Sequence, residues 1–293
     1  MHIQQSFAPS KEEVGALYLV PTPIGNLEDM TFRAIRILQE AALILAEDTR
    51  TTIKLLNHFA IDTPMHSFHE HSSPAQVEAV MMRLRQGDHV ALVSDAGMPL
   101  INDPGHPLVQ AVLAEGLAVV ALPGANAALT ALVASGLGCQ QFTYYGFFPR
   151  GSKEQEQILQ QVQARKETAI FYESPYRLKK SLLAITKKMP ADTKVVVARE
   201  LTKRYETYLR GTAAELTEYL ANQEVKGECV LLIEGHGEVA PSVESWRELS
   251  LKAHVEQLMA DEDINAKEAI KQVAKLRQLK KQEVYQAYHE LGE

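Results

Sequence analysis

The sequence has few cysteines, no long apolar run and no excess of basic residues, and each absence excludes a class of protein. Cys139 and Cys229 are the only cysteines in 293 residues and lie far apart, which excludes a disulfide framework and a cysteine-based zinc site. No apolar run approaches ~20 residues, so no segment is predicted to span a membrane. The formal net charge of -7 argues against non-specific coating of nucleic acid, which requires Lys and Arg to neutralise phosphates. A local basic patch is compatible with this charge.

The N-terminus lacks the pattern of a signal peptide. "MHIQQSFAPSKEEVGA" has no basic segment followed by an apolar one, and we expect residues 1–14 to form a short flexible tail. The composition, 46% hydrophobic and 23% charged residues, is typical of a soluble globular protein. Scarce cysteines fit a reducing compartment, so these features together predict a cytoplasmic location.

The first part of the chain alternates short apolar runs with amphipathic segments. The runs "ALYLV", "ALILA", "VALVS" and "AVVAL" have no polar alternation, which indicates strands that are covered on both faces. Helical patterns near 31–41, 50–59, 75–86 and 105–115 separate them. This order predicts an N-terminal α/β domain with a largely parallel sheet over residues 15–124.

The later part of the chain predicts a second α/β domain. After a small-residue helix in "PGANAALTALVASG" come the strand candidates "FTYYGFF", "TAIFY", "KVVVA", "ETYLR" and "CVLLI". Because "ETYLRGTAAEL" alternates like an antiparallel strand, we predict a mixed α/β domain over residues 125–238.

Residues 239–293 contain no strand candidate and are predicted to form a basic helical extension. An apolar stripe runs along one side of a helix and consists of Ala266, Ala269, Ile270, Val273 and Ala274. Another side is basic, with Lys267, Lys271 and Lys275, followed by Lys280 and Lys281. Two interpretations stay open for the lysines, a solvated helix face and an RNA contact.

Four loops follow predicted strands, at the edge where open α/β sheets bind ligands. In the first, "PTPIGNLED", prolines fix the backbone and Gly25 permits close approach, but neither a Walker A pattern nor a dinucleotide fingerprint is present. A phosphate cradle is therefore disfavoured, and a rigid turn is the alternative. In the second, "AEDTRTT", Glu47, Asp48 and Arg50 form either a functional cluster or a helix cap with a surface ion pair.

The third loop, "SDAGMPLINDPG", and the fourth, "PGANAALTA", favour a ligand without phosphates. The third combines Asp95 and Asp103 with many turn formers, so that carboxylates and backbone groups can hold hydroxyls or an ammonium. The fourth leaves room beside a helix start for a planar ring, or for close helix packing. S-adenosylmethionine has these features, and so do other nucleosides.

Two further segments carry polar side chains. "FYESPYRLKKSL" places Tyr172, Glu173 and Arg177 around a strand-to-helix turn. "SFHEHSS" places His69 and His71 two residues apart, and in a strand both rings would point to one side, as in metal sites. No third ligand matches, so no metal site is predicted and the role of the pair stays open.

Five motifs, in order along residues 15–235, resemble one family. "LYLVPTPIGNLEDMTFRAIRIL", "AEDTR", "VSDAGMPLINDPG", "LPGANAALTALVASGL" and "FYESPYRL" are similar to the ribosomal RNA small subunit methyltransferase I family, the ribose 2'-O branch of the tetrapyrrole methylase superfamily. The resemblance implies two α/β domains of the class III methyltransferase type, usually in a homodimer, with S-adenosylmethionine in the cleft between them. It implies methyl transfer to the 2'-hydroxyl of a cytidine in the decoding region of 16S ribosomal RNA, with the small ribosomal subunit or free RNA as the substrate.

The resemblance also implies which residues contact the methyl donor. They belong to the first, third and fourth loops, to the strand before "ESPYR" and to the start of the last core strand, in "GECVLLIEG". They are Pro23, Gly25, Ser94, Asp95, Ala96, Gly97, Met98, Leu100, Ile101, Asn126, Ala127, Ala128, Tyr172, Gly227 and Glu228.

Proton transfer and RNA contact involve a further set of predicted residues. The 2'-hydroxyl is weakly acidic, so a proton acceptor assists the reaction, and the carboxylate candidates are Glu47, Asp48 and Glu173, with water as the alternative. Phosphates beside the target ribose are expected to meet arginines, with the lysine-rich face as a further contact: Arg33, Arg36, Arg50, Arg177, Lys267, Lys271, Lys275, Lys280 and Lys281. The alternatives are a methylase of a tetrapyrrole or other small molecule, and a donor-binding ribosome-assembly factor without transfer activity.

Overall fold

The computed structural model describes residues 3–4, 14–69, 72–237, 249–262, 264–277 and 279–289. By contacts the chain divides into two compact units, Met1–Gly237 and Glu238–Glu293. The predicted division at residue 124 falls between the last strand of the first sheet and the helix that follows, and it stays a prediction. No helix within the described ranges is long and apolar enough to cross a membrane.

The first sheet is parallel throughout, as predicted. Its strands lie in the order β3-β2-β4-β1-β5, with β1 at Ala16–Val20, β2 at Leu43–Ala46, β3 at Met65–Ser67, β4 at Val90–Val93 and β5 at Ala118–Ala121. The connecting helices are α1 (Phe32–Glu40), α2 (Thr49–His58), α3 (Pro74–Arg85) and α4 (His106–Ala114). Strand β3 escaped prediction because it has only three partly exposed residues at the sheet edge.

Both faces of this sheet are buried, which explains the unbroken apolar runs of its strands. Along β4, Ala91 and Val93 pack into the core on one face, while Val90 and Leu92 pack into the core on the other. Successive side chains of a strand point to opposite faces, so a sheet covered on both sides requires an apolar residue at every position.

The second sheet is mixed, as predicted, with the strand order β6-β7-β10-β8-β9. Its strands are β6 (Phe142–Phe147), β7 (Thr168–Glu173), β8 (Lys194–Arg199), β9 (Thr207–Thr212) and β10 (Cys229–Ile233), and only β6 and β7 pair in parallel. Helix α5 (Ala127–Ser135) covers one face. The other face is covered by α6 (Ser152–Ala164), α7 (Pro175–Lys188) and α8 (Ala213–Leu220).

The C-terminal unit contains α9 (Leu251–Glu262), α10 (Ala266–Arg277) and α11 (Lys281–His289). Its small core confirms the apolar stripe of α10, since Ala269, Ile270, Val273 and Ala274 are all buried there. The side chains of the predicted basic face are exposed: Lys267, Lys271, Lys275, Lys280 and Lys281.

Candidate active site

The first and third loops, which follow β1 and β4, are joined by their backbones. Thr22 donates its N–H to the Gly97 carbonyl at 3.0 Å and accepts the N–H of Gly97 at 2.9 Å. The Thr22 hydroxyl donates to the Ser94 carbonyl at 3.0 Å, and the Ser94 hydroxyl donates to the Gly97 carbonyl at 2.6 Å. These bonds pair backbone polar groups of the two turns that would otherwise need water as a partner. The two loops therefore form one rigid edge.

The second loop, after β2, joins the same edge. The backbone N–H of Asp48 donates to the Asp95 carboxylate at 3.1 Å. Asp48 also caps α2, since its carboxylate accepts the N–H of Arg50 at 2.9 Å, and it pairs with the Arg50 guanidinium at 2.7 Å. Hydrogen bonds from Arg50 lower the pKa of Asp48 to about 2. The structure therefore shows the cap and ion pair that were the alternative interpretation of Asp48 and Arg50.

The fourth loop packs against the first through a glycine. A Cβ atom at Gly124 would lie 2.6 Å from the Cβ of Pro21, which is well inside van der Waals contact. Only glycine therefore allows this approach of the two loops.

We expect Gly124→Ala to lower the free energy of unfolding by about 1–3 kcal/mol, because the added methyl group overpacks the contact with Pro21. Chemical denaturation measures the change. Gly138→Ala is the matched control, since the nearest atom to its added Cβ is 4.0 Å away. A Gly124→Ala protein as stable as the Gly138→Ala protein would contradict the contact.

Between these loops and the second sheet lies a cavity of about 480 Å³, within the range of small-molecule sites. The structure brings many of the predicted donor residues together in its lining: Asp95, Ala96, Gly97, Met98, Ile101, Asn126, Ala127, Tyr172 and Glu228. The lining also includes residues that were not predicted as donor contacts: Ile24, Asn102, Asp103, Phe147, Glu173, Ser174, Pro175, Leu201, Cys229 and Val230.

Six predicted donor residues lie outside this lining: Pro23, Gly25, Ser94, Leu100, Ala128 and Gly227. The two glycines make room for protein side chains instead of a ligand. A Cβ at Gly25 would meet the side chain of Lys203, and one at Gly227 would meet that of Glu200.

Three of the six outlying residues belong to the packing around the cavity. Ser94 is buried and uses its hydroxyl in the loop hydrogen bond. Leu100 packs onto the core of the first sheet, and Ala128 is buried in the core between α5 and the second sheet.

Asp103 is the carboxyl group with the most perturbed environment in the cavity. Burial raises its pKa to about 7, and the carboxylates of Glu47 and Asp95 add to the shift. The preceding residue, Asn102, has a φ of 67° and accepts a hydrogen bond of 2.5 Å from the Tyr144 hydroxyl of β6. A positive φ is uncommon outside glycine and marks local strain, so this contact holds the loop in an unusual conformation beside Asp103.

Two tyrosines face the same loop from the second sheet. The rings of Tyr144 and Tyr172 meet edge to face at 5.1 Å. Burial raises the pKa of both hydroxyls, so both stay neutral at physiological pH and keep a proton to donate. Phe147, which is 58% exposed, adds an aromatic wall next to Tyr172.

Glu173 and Arg177 are used within the turn between β7 and α7. The buried Glu173 carboxylate accepts hydrogen bonds from the Ser174 N–H and the Ser181 hydroxyl, and lies 3.4 Å from Arg177. Arg177 donates to the carbonyls of Phe148 and Pro149, both at 2.8 Å. Since protein groups occupy both side chains, the structure favours a positioning role for each over proton acceptance and phosphate contact.

The other predicted RNA contacts differ in their surroundings. Arg36 pairs with Glu40 at 2.8 Å, and Lys271 lies 3.7 Å from Glu268. Arg33 is partly buried, whereas the Arg50 side chain is 88% exposed. Their contact with RNA stays a prediction.

His69 lies in the loop after β3. β3 ends at Ser67, and the His69 N–H donates to the Ser72 hydroxyl in the loop that follows. His71 lies outside the described residues. In the part of the chain that the structure describes, no group of three or more His, Cys, Asp or Glu side chains could hold a metal ion.

Known proteins resemble this chain in two ways. Some have similar sequences, and others share its architecture at low sequence identity. The family model "Tetrapyrrole (Corrin/Porphyrin) Methylases" matches residues 16–217. Proteins named ribosomal RNA small subunit methyltransferase I are 49% identical in Halalkalibacterium halodurans, over 99% of this chain and 100% of that protein, and 47% identical in Bacillus subtilis, over 98% of each.

Solved structures confirm the predicted fold class. Uroporphyrin-III-C-methyltransferase from Thermus thermophilus superimposes with a TM-score of 0.52 at 19% identity, over 78% of this chain and 98% of that one. A cobalt precorrin-4 methyltransferase gives 0.55 at 19% identity, over 79% and 99%. Identities this low concern the fold alone.

Proposed function

Because the chain belongs to the ribosomal RNA small subunit methyltransferase I family of the tetrapyrrole (corrin/porphyrin) methylases, we propose that it methylates 16S ribosomal RNA. The methyl donor is S-adenosylmethionine, and the acceptor is the 2'-hydroxyl of a cytidine in the decoding region. The observation that carries the proposal is the 47–49% identity to relatives of that name over nearly the whole chain.

The chemistry of the cavity fits this donor. Its lining contains no Lys or Arg among the described residues, which disfavours a phosphate ligand, and it contains the carboxyl groups of Asp95 and Asp103. S-adenosylmethionine carries an ammonium, a sulfonium and a carboxylate, so its net charge of about +1 is opposite to that of these groups. The small side chains of Ala96 and Ala127 leave room for a flat ring system, and Phe147 and Tyr172 add aromatic walls.

The chain has two tasks in the reaction. When bound, S-adenosylmethionine supplies a methyl group that is already activated on its sulfonium. The loops around the cavity hold the target ribose so that its 2'-oxygen lies in line with that methyl group. A carboxylate then accepts the proton of the hydroxyl.

We assign the proton acceptor to Asp103. It lines the cavity, and with a pKa of about 7 about half of it is ionised at neutral pH, the condition that suits a general base. The earlier candidates are less suited: Asp48 is held by Arg50, and Glu173 is buried with its oxygens occupied. Glu47 raises the pKa of Asp103 and so supports it as an acceptor.

The wider setting follows from the same family membership. We propose that the substrate is the assembled small ribosomal subunit, that the enzyme acts as a cytoplasmic homodimer, and that the exposed Arg50 and the lysine-rich face of α10 contact RNA phosphates. An acidic protein of net charge -7 needs such local cationic surfaces to approach RNA.

Transfer of labelled methyl groups tests the function directly. The protein is incubated with S-adenosylmethionine labelled in its methyl group and with small ribosomal subunits that lack the modification. Label that becomes soluble after ribonuclease treatment, and that maps to the 2'-oxygen of one cytidine, is the expected result. Donor binding without label in RNA would contradict it and would favour a small-molecule methylase or an assembly factor.

A further inference from the structure

A second depression in the molecule lies between α6 and α7, away from the cavity. It has a volume of about 210 Å³ and is lined by Arg150, Ser152, Gln155, Glu156, Lys180, Leu183, Ala184, Lys187 and Lys188. Four of these residues are basic and one is acidic. We call it the α6–α7 groove.

The positive charge of the groove comes mainly from α7. This helix carries Arg177, Lys179, Lys180, Lys187 and Lys188 and no acidic residue. Like charges this close repel one another unless anions lie nearby, and Glu156 is the one acidic residue that helix α6 supplies to the groove lining. The charge is therefore only partly balanced within the protein.

Some of these cations have partners in the protein and others do not. Lys179 donates to the Ala221 carbonyl at 3.1 Å, and Lys188 pairs with Glu156 at 2.9 Å. Within the described ranges, Arg150, Lys180 and Lys187 have neither a carboxylate partner nor a hydrogen-bond acceptor. Three exposed cations around one groove are thus left for an external anion.

The spacing of the free cations suits an extended anion. Lys180, Leu183, Ala184 and Lys187 follow the i, i+3, i+4, i+7 pattern of one helix face. The seven helical steps from Lys180 to Lys187 span about 10 Å along the axis, which exceeds the size of one phosphate group. On the α6 side, the buried Gln155 anchors the chain next to Arg150 through a hydrogen bond of 2.8 Å to the Pro149 carbonyl.

Helix α7 contributes residues to both the cavity and the groove. Pro175, the first residue of α7, lines the cavity, and Lys180 and Lys187 line the groove. At 1.5 Å per residue, Lys180 is about 7 Å and Lys187 about 18 Å along the helix from Pro175. A strand whose target nucleotide enters the cavity can therefore continue along α7.

We propose that the α6–α7 groove binds phosphates of the substrate RNA strand next to the nucleotide that enters the cavity. This inference rests on the proposed function. The contacts are to the backbone and carry no base specificity, so their role is to hold the strand in register while the target ribose occupies the cavity.

The salt dependence of RNA binding tests the groove. The double variant Lys180→Gln/Lys187→Gln is compared with wild type by fluorescence anisotropy, using a labelled single-stranded RNA that carries the decoding-region sequence. Each phosphate contact adds about 0.7 to the slope of log K against log salt. The slope should therefore fall by about 1.4, and affinity at ~0.1 M salt by about 20-fold.

The matched control is Lys54→Gln/Lys166→Gln. It removes the same charge from exposed positions on α2 and before β7, and neither position lines the groove. This control should keep the wild-type slope, and both double variants should bind S-adenosylmethionine like wild type in calorimetry. Equal slopes for the two double variants would overturn the groove as an RNA site.

The outcomes separate the groove from the proposed function. If wild type transfers label to RNA and the α7 double variant binds RNA like wild type, the groove assignment alone fails. If wild type transfers no label but the α7 variant still loses the slope, the proposed function alone fails. Weaker binding to whole ribosomal subunits with unchanged binding to naked RNA would assign the groove to a ribosomal protein and overturn the RNA inference.

Discussion

Asp103→Asn is expected to lower the turnover number about 100-fold while weakening binding of S-adenosylmethionine by no more than about tenfold. The amide keeps the size of the side chain but cannot accept the 2'-hydroxyl proton, and general base catalysis contributes roughly 10²–10⁴-fold. Initial rates of label transfer give the turnover number, and calorimetry gives the affinity. The matched control is Asp62→Asn, which changes an exposed carboxylate just before β3 and should keep wild-type rates.

The pH dependence of kcat/KM also tests Asp103 as the proton acceptor. The acceptor must be ionised, so kcat/KM of wild type should fall about tenfold per pH unit below the Asp103 pKa of about 7 and level off above it. The Asp103→Asn protein should lack this fall of kcat/KM at low pH, the acid limb of the profile. In the complex with a cationic donor the carboxylate is easier to ionise, so the limb of kcat should lie at lower pH than that of kcat/KM.

A substitution of Glu47 tests whether Glu47 or Asp103 is the proton acceptor. Its charge contributes to the raised pKa of Asp103, so Glu47→Gln should move the kcat/KM limb to lower pH without removing it. Loss of the limb in Glu47→Gln, together with its persistence in Asp103→Asn, would make Glu47 the acceptor and contradict our assignment.

Ala127→Leu should weaken binding of S-adenosylmethionine about 100-fold. Ala127 is the first residue of α5 and lines the cavity, so the larger side chain occupies space that the donor needs. An overpacking cost of about 1–3 kcal/mol corresponds to roughly 5- to 150-fold in the dissociation constant. Calorimetry measures the change.

The control for this variant lies on the same helix. Ala134 is exposed near the end of α5, so Ala134→Leu adds the same side chain to solvent and should bind the donor like wild type. Both proteins should unfold at similar denaturant concentrations. Wild-type donor affinity in a folded Ala127→Leu protein would show that the donor does not lie against α5.

Much of the fold was predictable because its signals are local. Fully apolar runs such as β4 identify a sheet covered on both faces, and the alternation in β9 identifies the mixed sheet. β3 gave no signal because it is too short to show a period. The loops were placed at one edge because the carboxyl ends of parallel strands meet there.

The loops that line the cavity were predictable, but the surroundings of their side chains were not. The raised pKa of Asp103 depends on Glu47, which is distant in sequence and close only in the folded chain. The role of Glu173 depends on its burial and on the hydrogen bonds that it accepts from Ser174 and Ser181. A sequence motif does not reveal which polar groups surround a side chain. The close neighbour of Gly25 is Lys203, which comes from another part of the chain. The sequence therefore does not show that this glycine makes room for a protein side chain instead of a ligand.

The loop that carries Asp95 and Asp103 is tied to both sheets before any ligand arrives. Thr22 bonds Gly97 from the first sheet, and Tyr144 bonds Asn102 from the second. Ordering a free loop on binding costs roughly 1–2 kcal/mol per residue in backbone entropy. Much of this loop is already ordered when the protein folds. The Gly97 amide, which donates to the Thr22 carbonyl, should therefore exchange hydrogen slowly even in the free protein, and little of the donor's affinity is lost to loop ordering.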